Sequence, residues 1–393
     1  MKKLSAIAST ILIALTPAVF EGCKQSAVTD GLVTVDVTAN YPERELILQD
    51  FMDVEYIPLE TTDEFLTQGD VVAINDNFIV ARNFVNSGDI FFFDRKTGKG
   101  VKKINRKGQG GEEYTSALSV ALDDERGELF VNDHYIRKIF VYDLEGNFKR
   151  SFKHKEGVMY NYMYSLDRDN LICFDGMFTD DATASGQPFM LVSKQDGSVK
   201  EIYVPFEKRI VTVLTSKNAT NGMVYVAGPS GRPLIPCFDD WLIIEASADT
   251  IYTYSRDNIM TPFIARTPPI HSMDPEVFLF VNLITDRYYF METAKREFNF
   301  ETSDGFPGID LVYDKEEKAI YKPTVYNDDY TNRTQVSMTL KPVGGEVPSW
   351  QQLQAHRLVE DFKEGKLKGR LAEIAAGLDE ESNPVIMLVK HKK

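Results

Sequence analysis

The feature that most constrains the fold of this chain is a repeat. From about Val71 onward one unit recurs: a strand, a polar turn, a second strand, a loop, then a hairpin marked by Asp and Gly. The clearest copy runs Leu118 to Asp123, the turn Asp124 to Gly127, Glu128 to Asp133, the loop His134 to Arg137, Lys138 to Asp143, Leu144-Glu145-Gly146, and Asn147 to Lys153. The third strand reads Ile90-Phe91-Phe92-Phe93-Asp94 before Gly98 in one copy, and Ile139-Phe140-Val141-Tyr142-Asp143 before Gly146 in the next. Glycine at that place can adopt positive φ and close a hairpin with a bulge. Gly98, Gly146 and Gly197 mark successive units at a spacing of about 50 residues, the blade length of a β-propeller. The reading is all-β: a six-bladed β-propeller, with seven blades as the alternative, since ~340 residues hold six or seven units of that size.

Later hairpins are looser, at Leu191 to Val204 around Asp196-Gly197, at Ile251 to Ile264 around Arg256-Asp257-Asn258, and at Arg287 to Phe300. Helix is expected only near the end. Ser349 is placed as an N-cap before Trp350, Leu353, Leu358, Val359 and Phe362, and apolar spacing continues through Leu378, so 349–378 reads as a short helical insertion. Asn383-Pro384 breaks it, and 385–390 reads as the closing strand, with Val33 to Val37 or Val54 to Leu59 as candidate partners. The propeller is therefore drawn as one domain over 49–393, because pairing the two ends removes the open edge that invites aggregation.

The N-terminus carries an address. Lys2 and Lys3 precede an apolar run from Leu4 to Phe20, interrupted by Pro17 and too short to span a bilayer, so 1–22 reads as a signal peptide. Gly22-Cys23 at its end resembles the bacterial lipobox, with Phe20 and Glu21 departing from the usual aliphatic and small residues. Cys23 is the expected lipidation site, and 23–48 the lipid-anchored N-terminal linker. More than one acyl chain gives stable anchoring, so the membrane is met through the lipid alone. Lys24 to Thr29 lack an acidic cluster, which places the protein on the periplasmic face of the outer membrane. The remaining cysteines, Cys173 and Cys237, are read as separate buried thiols.

Composition removes several classes of function. The 25 Phe and 18 Tyr exclude disorder, and a net charge of -15 leaves no basic surface for nucleic acid. Gly108 to Gly111 is followed by strand-like residues rather than a helix, so it is no phosphate cradle. Asp123-Asp124-Glu125 with Glu128 reads as a solvated turn. The five His show no metal-ligand spacing, and no Gly-x-Ser-x-Gly elbow is present, so neither a catalytic residue nor a metal ligand is assigned. Second strands end in polar residues, and Arg82, Asn83, Asp133, His134, Asp175 and Glu245 are expected to ring one face beside the loop carrying Glu112, Glu113 and Tyr114. Such a ring suits Ca²⁺ through its carboxylates, or a glycan through Tyr and Arg beside acids; no other cofactor is expected.

The run Asp53 to Thr62, the loop Gly108-Gln109-Gly110-Gly111-Glu112-Glu113-Tyr114, the stretch Asp249-Thr250-Ile251-Tyr252 and the terminal Asn383-Pro384-Val385 resemble the six-bladed β-propeller lipoproteins abundant in Bacteroidota. Gly111 stands where that family's loop usually has Pro. The resemblance implies an exported, lipid-anchored propeller shaped like NHL-repeat proteins, and brings no catalytic residues with it. The expected function is a non-enzymatic ligand- or protein-binding module of the cell envelope, its partner an envelope protein or glycan. The alternative is a hydrolase or lyase acting on a glycan or lactone in the central funnel.

Overall fold

The computed structural model describes residues 28–29, 32–84, 86–176, 186–218, 222–338, 347 and 349–392. Six antiparallel sheets succeed one another along the chain as blades. Blade 1 is Asp70–Ile74, Phe78–Arg82, Asp89–Asp94 and Gly100–Asn105. Blade 2 is Ser119–Asp123, Glu128–Asp133, Lys138–Asp143 and Phe148–Lys153; blade 3 is Tyr160–Ser165, Asn170–Asp175, Phe189–Ser193 and Val199–Ile202. Blade 4 is Leu234–Cys237, Asp240–Ile243, Thr250–Tyr254 and Met260–Thr267, and blade 5 is Val277–Ile284, Tyr288–Lys295, Asp310–Asp314 and Ala319–Tyr326. First strands of neighbouring blades approach one another, so they line the axis.

The strand sequences follow from this packing. A middle strand is covered on both faces by adjacent blades, and so it is apolar throughout rather than alternating. Ile90, Phe91, Phe92 and Phe93 are all wholly buried. Their side chains divide by parity: Phe91 and Phe93 join the cluster shared with blade 6, Ile90 and Phe92 that shared with blade 2. Each of the six interfaces holds one such cluster, making the core a ring of wedges.

The third-to-fourth turns behave as the repeat requires. Gly98 and Gly197 have φ of +70° and +74°, and each packs against the preceding blade, where a Cβ would collide with the Pro58 carbonyl and the Phe152 ring respectively. Blade 5 closes the same turn with Lys318 at φ 52°. Its hairpin is Asp310–Asp314 with Ala319–Tyr326, not the expected 287–300. Tyr288–Lys295 is instead a middle strand between Val277–Ile284 and Asp310–Asp314, and Phe298–Asn299 with Asp304–Gly305 forms a small insertion.

Blade 6 joins the two ends of the chain. Val385–His391 pairs with Ser349–Leu353 on one side and with Met52–Pro58 on the other, so of the two candidate partners it is Val54 to Leu59 that closes the ring. Val33 to Val37 lies elsewhere: Leu32–Asp36 adds in parallel to Met260–Thr267 of blade 4, and Glu43–Ile47 adds in parallel to Ala319–Tyr326 of blade 5. The stretch expected as a linker thus extends two blades: Val28–Thr29 pairs outside Leu32–Asp36 on blade 4, and Glu43–Ile47 edges blade 5. The helical segment is also shorter than expected, because Ser349–Leu353 is a strand with Ser349 fully buried. Pairing with the buried Val385–Val389 outweighs the local capping signal. Helices Ala355–Lys363 and Gly369–Ala375 follow, separated by Gly365 at φ 67°. Asn383 then fastens the closure: its Oδ1 accepts from Thr67 N at 2.9 Å, and its Nδ2 donates to the carbonyls of Glu60, at 2.7 Å, and Phe65.

Candidate functional site

Ends of second strands and the loops between blades open on one face, as the repeat predicts. The side chains there do not form a single ring. Most are bound to the chain that enters their own blade. Asp133 is fully buried; its Oδ2 accepts from Thr115 N, Thr115 Oγ1 and Ser116 N at 2.6, 2.7 and 3.1 Å, and its Oδ1 from Tyr135 N and Ile136 N at 3.0 and 3.3 Å. These bonds satisfy backbone donors that burial would otherwise leave unpaired. Asn83 repeats the device, accepting from Gln68 N at 2.8 Å and Thr67 Oγ1 at 3.1 Å. Arg82 pairs with Asp70 at 2.9 Å and donates to the carbonyls of Ala117 and Leu118, bolting blade 1 to blade 2.

Tyr114 is likewise structural. It is wholly buried, donates to the Gly88 carbonyl at 2.6 Å and accepts from Arg106 N at 3.0 Å, and burial pushes its phenol up to about 12. The exposed Glu112 offers its carbonyl to Tyr142 Oη at 2.7 Å. Beside it Glu113 accepts from Gly110 N at 2.8 Å, so the glycine-rich loop wraps its own carboxylate. His134 Nδ1 lies 3.3 Å from Ser116 Oγ, and burial lowers its basicity against the opposing pull of Asp133. Because Asp133 spends its oxygens on five other donors, no carboxylate orients that imidazole. Cys173 and Cys237 are free and buried, and burial raises both thiols.

Two of the expected residues do meet. Asp175 and Glu245 line a cavity of about 270 Å³ between blades 3 and 4, with Tyr162, Phe174, Ile244 and Phe280 as apolar wall. Asp175 Oδ1 accepts from Met159 N at 3.1 Å. Arg209 reaches in from the loop between the blades, donating Nη2 to the Asp175 carbonyl at 2.8 Å with Nη1 3.6 Å from Oδ2. Glu245 is 5% exposed, accepts from Ser247 N at 3.1 Å, and is raised by burial toward its neutral form. A neutral carboxyl can donate as well as accept, and the guanidinium supplies fixed donors beside it. Sequence reasoning missed Arg209, which stands in a loop without a motif; only its place between two blades marks it. Among the described residues no group of three or more His, Cys, Asp or Glu is placed to hold a metal ion, and no helix is long and apolar enough to cross a membrane.

The fold and this cavity together define a six-bladed β-propeller with a small, mostly apolar pocket between two blades. By sequence the chain belongs to the family described as "Domain of unknown function (DUF4934)", which matches residues 32–390. No curated protein matches. Among solved structures, a "putative exported protein" from Bacteroides fragilis NCTC 9343 is similar at 15% identity and a TM-score of 0.59, covering 89% of this chain and 99% of that one. A member of the DUF4221 family from Bacteroides vulgatus is 12% identical with a TM-score of 0.49, over 87% of this chain and 98% of that one.

Proposed function

We propose that this protein is a ligand-binding module of the cell envelope, exported by the leader 1–22 and held through lipid on Cys23 at the periplasmic face of the outer membrane. The leader and Cys23 lie outside the described residues. The apolar run and Gly22-Cys23 support them, and the exported name of the Bacteroides fragilis protein supports the compartment.

The observation that carries the binding reading is the Asp175, Arg209 and Glu245 constellation at the floor of an apolar cavity. Its size suits a small molecule with one hydrogen-bonding end. A hydrolase or lyase would draw on the same two carboxyls, but the Ser116–His134 contact belongs to blade 2 and lacks an orienting acid.

Ala246→Trp would fill the cavity from its wall. Thermal-shift screening of the full-length protein in detergent against a library of small amphipathic acids and amides should yield stabilising compounds that lose their effect in this variant. No stabilising compound, or equal shifts in both proteins, would refute the assignment. Incorporation of a palmitate analogue by wild type and not by Cys23→Ala tests the anchor.

A further inference from the structure

The face opposite the cavity of Asp175 and Glu245 carries a larger one, about 870 Å³, formed on the axis where the first-to-second turns of blades 1 to 4 converge. In blade 4 that turn is the two-residue loop Phe238-Asp239, between the paired Cys237 and Asp240. Phe238 takes φ 55°, a left-handed conformation that disfavours a residue with a bulky side chain, at a position where Gly or Asn is the usual choice. Burial repays this only in part: Phe238 stays 47% exposed, resting on His391 with centroids 5.0 Å apart and planes 25° from parallel. Strain held at an exposed aromatic points to use rather than to stability.

Around this platform stand charges of both signs. Asp76, Glu125, Asp239, Asp240, Arg168 and Arg256 line the cavity, and none forms an ion pair or side-chain hydrogen bond with another described residue. His391 Nδ1 is buried without a partner, and burial lowers its basicity. The carboxylates would repel an anion, and the arginines would repel a cation. A neutral polyhydroxyl satisfies both, since each hydroxyl donates to a carboxylate and accepts from a guanidinium. Its C–H face covers an aromatic ring.

We propose that this axial cavity is a saccharide site, with Phe238 as the stacking platform and Asp76, Asp239, Arg168 and Arg256 as the hydroxyl-reading groups. It is separate from the cavity between blades 3 and 4 and independent of what binds there.

The test uses full-length protein with maltotriose, mannotriose and tri-N-acetylchitotriose as probes, read by saturation-transfer NMR and titration calorimetry. At least one probe should bind. Phe238→Gly relieves the left-handed strain while removing the ring, so it should raise the thermal midpoint and weaken binding about tenfold or more. Phe238→Tyr should retain binding, and Ala246→Trp should leave it unchanged. Three results would each overturn the proposal: no probe binding, binding indifferent to Phe238→Gly, or binding of a tetralysine peptide in preference to every trisaccharide.

Discussion

Lys194 gives the sharpest test of how the blades are joined. It follows the third strand of blade 3, is 1% exposed, and donates to Asp123 Oδ2 of blade 2 at 2.9 Å, to Ser165 Oγ at 2.8 Å and to the Asp167 carbonyl at 2.7 Å. Its side chain therefore ties two blades through an ion pair buried in the wall of the axial cavity. Lys194→Met keeps the stem and removes the charge, stranding the Asp123 carboxylate at 4% exposure. Leaving one member of a buried pair uncompensated costs about 3–5 kcal/mol. In a protein of this size that should lower the thermal midpoint by about 4–6 °C. The neighbouring bonds are spared, because Arg150 reaches the backbone carbonyl of Lys194 at 3.0 and 2.7 Å. Adding Asp123→Leu removes the orphaned charge, and the double variant should recover about 2 kcal/mol relative to Lys194→Met. Calorimetric melts of the three proteins decide the matter. A single variant within about 1 kcal/mol of wild type, or a double variant no better than Lys194→Met, would refute the reasoning.

His154 should make stability depend on pH. Burial, with Arg137 adding to it, lowers the imidazole to about 4, and its Nε2 lies 2.7 Å from Asn132 Oδ1. The folded state thus requires the neutral ring; the contribution is full above the unfolded value near 6.5 and is lost as pH falls toward 4, about 3 kcal/mol in all. The difference between wild type and His154→Gln in urea unfolding should shrink over that range, and a constant difference would contradict the assignment. At the closure, Asn383→Ala leaves Thr67 N and two carbonyls without their partner in a site 2% exposed. A loss of about 2–4 kcal/mol is expected, together with faster proteolytic release of the C-terminal strand; unchanged cleavage would show that Asn383 does not hold the ring.

The architecture was legible because a middle blade strand announces itself. Ile90 to Phe93 and Ile139 to Tyr142 are apolar at every position, and the glycines after them fall where positive φ is required. Closure was half legible: Val54 to Leu59 carries the right pattern, but so does Val33 to Val37, and strand periodicity does not say which edge a strand joins. The site was harder to read. A polar residue at a strand end looks the same whether it faces a ligand or caps its own backbone, and Asp133 does the second while Asp175 and Glu245 line a cavity. The acidic turn Asp123 to Glu125, expected to be solvated, contributes to the wall of the axial cavity, with Asp123 itself buried against Lys194.

The parallel strands on the outer edges of blades 4 and 5 have a consequence for how the molecule is made. Val33 pairs with Ile264 and Arg44 with Pro323, so segments that leave the ribosome early have no partner until most of the chain exists. Their pairings with blades 4 and 5 therefore come after those blades exist, and contacts this distant in sequence form slowly. These segments cover two open sheet margins, whereas the circle itself closes only when the last strand synthesised, Val385–His391, reaches Met52–Pro58.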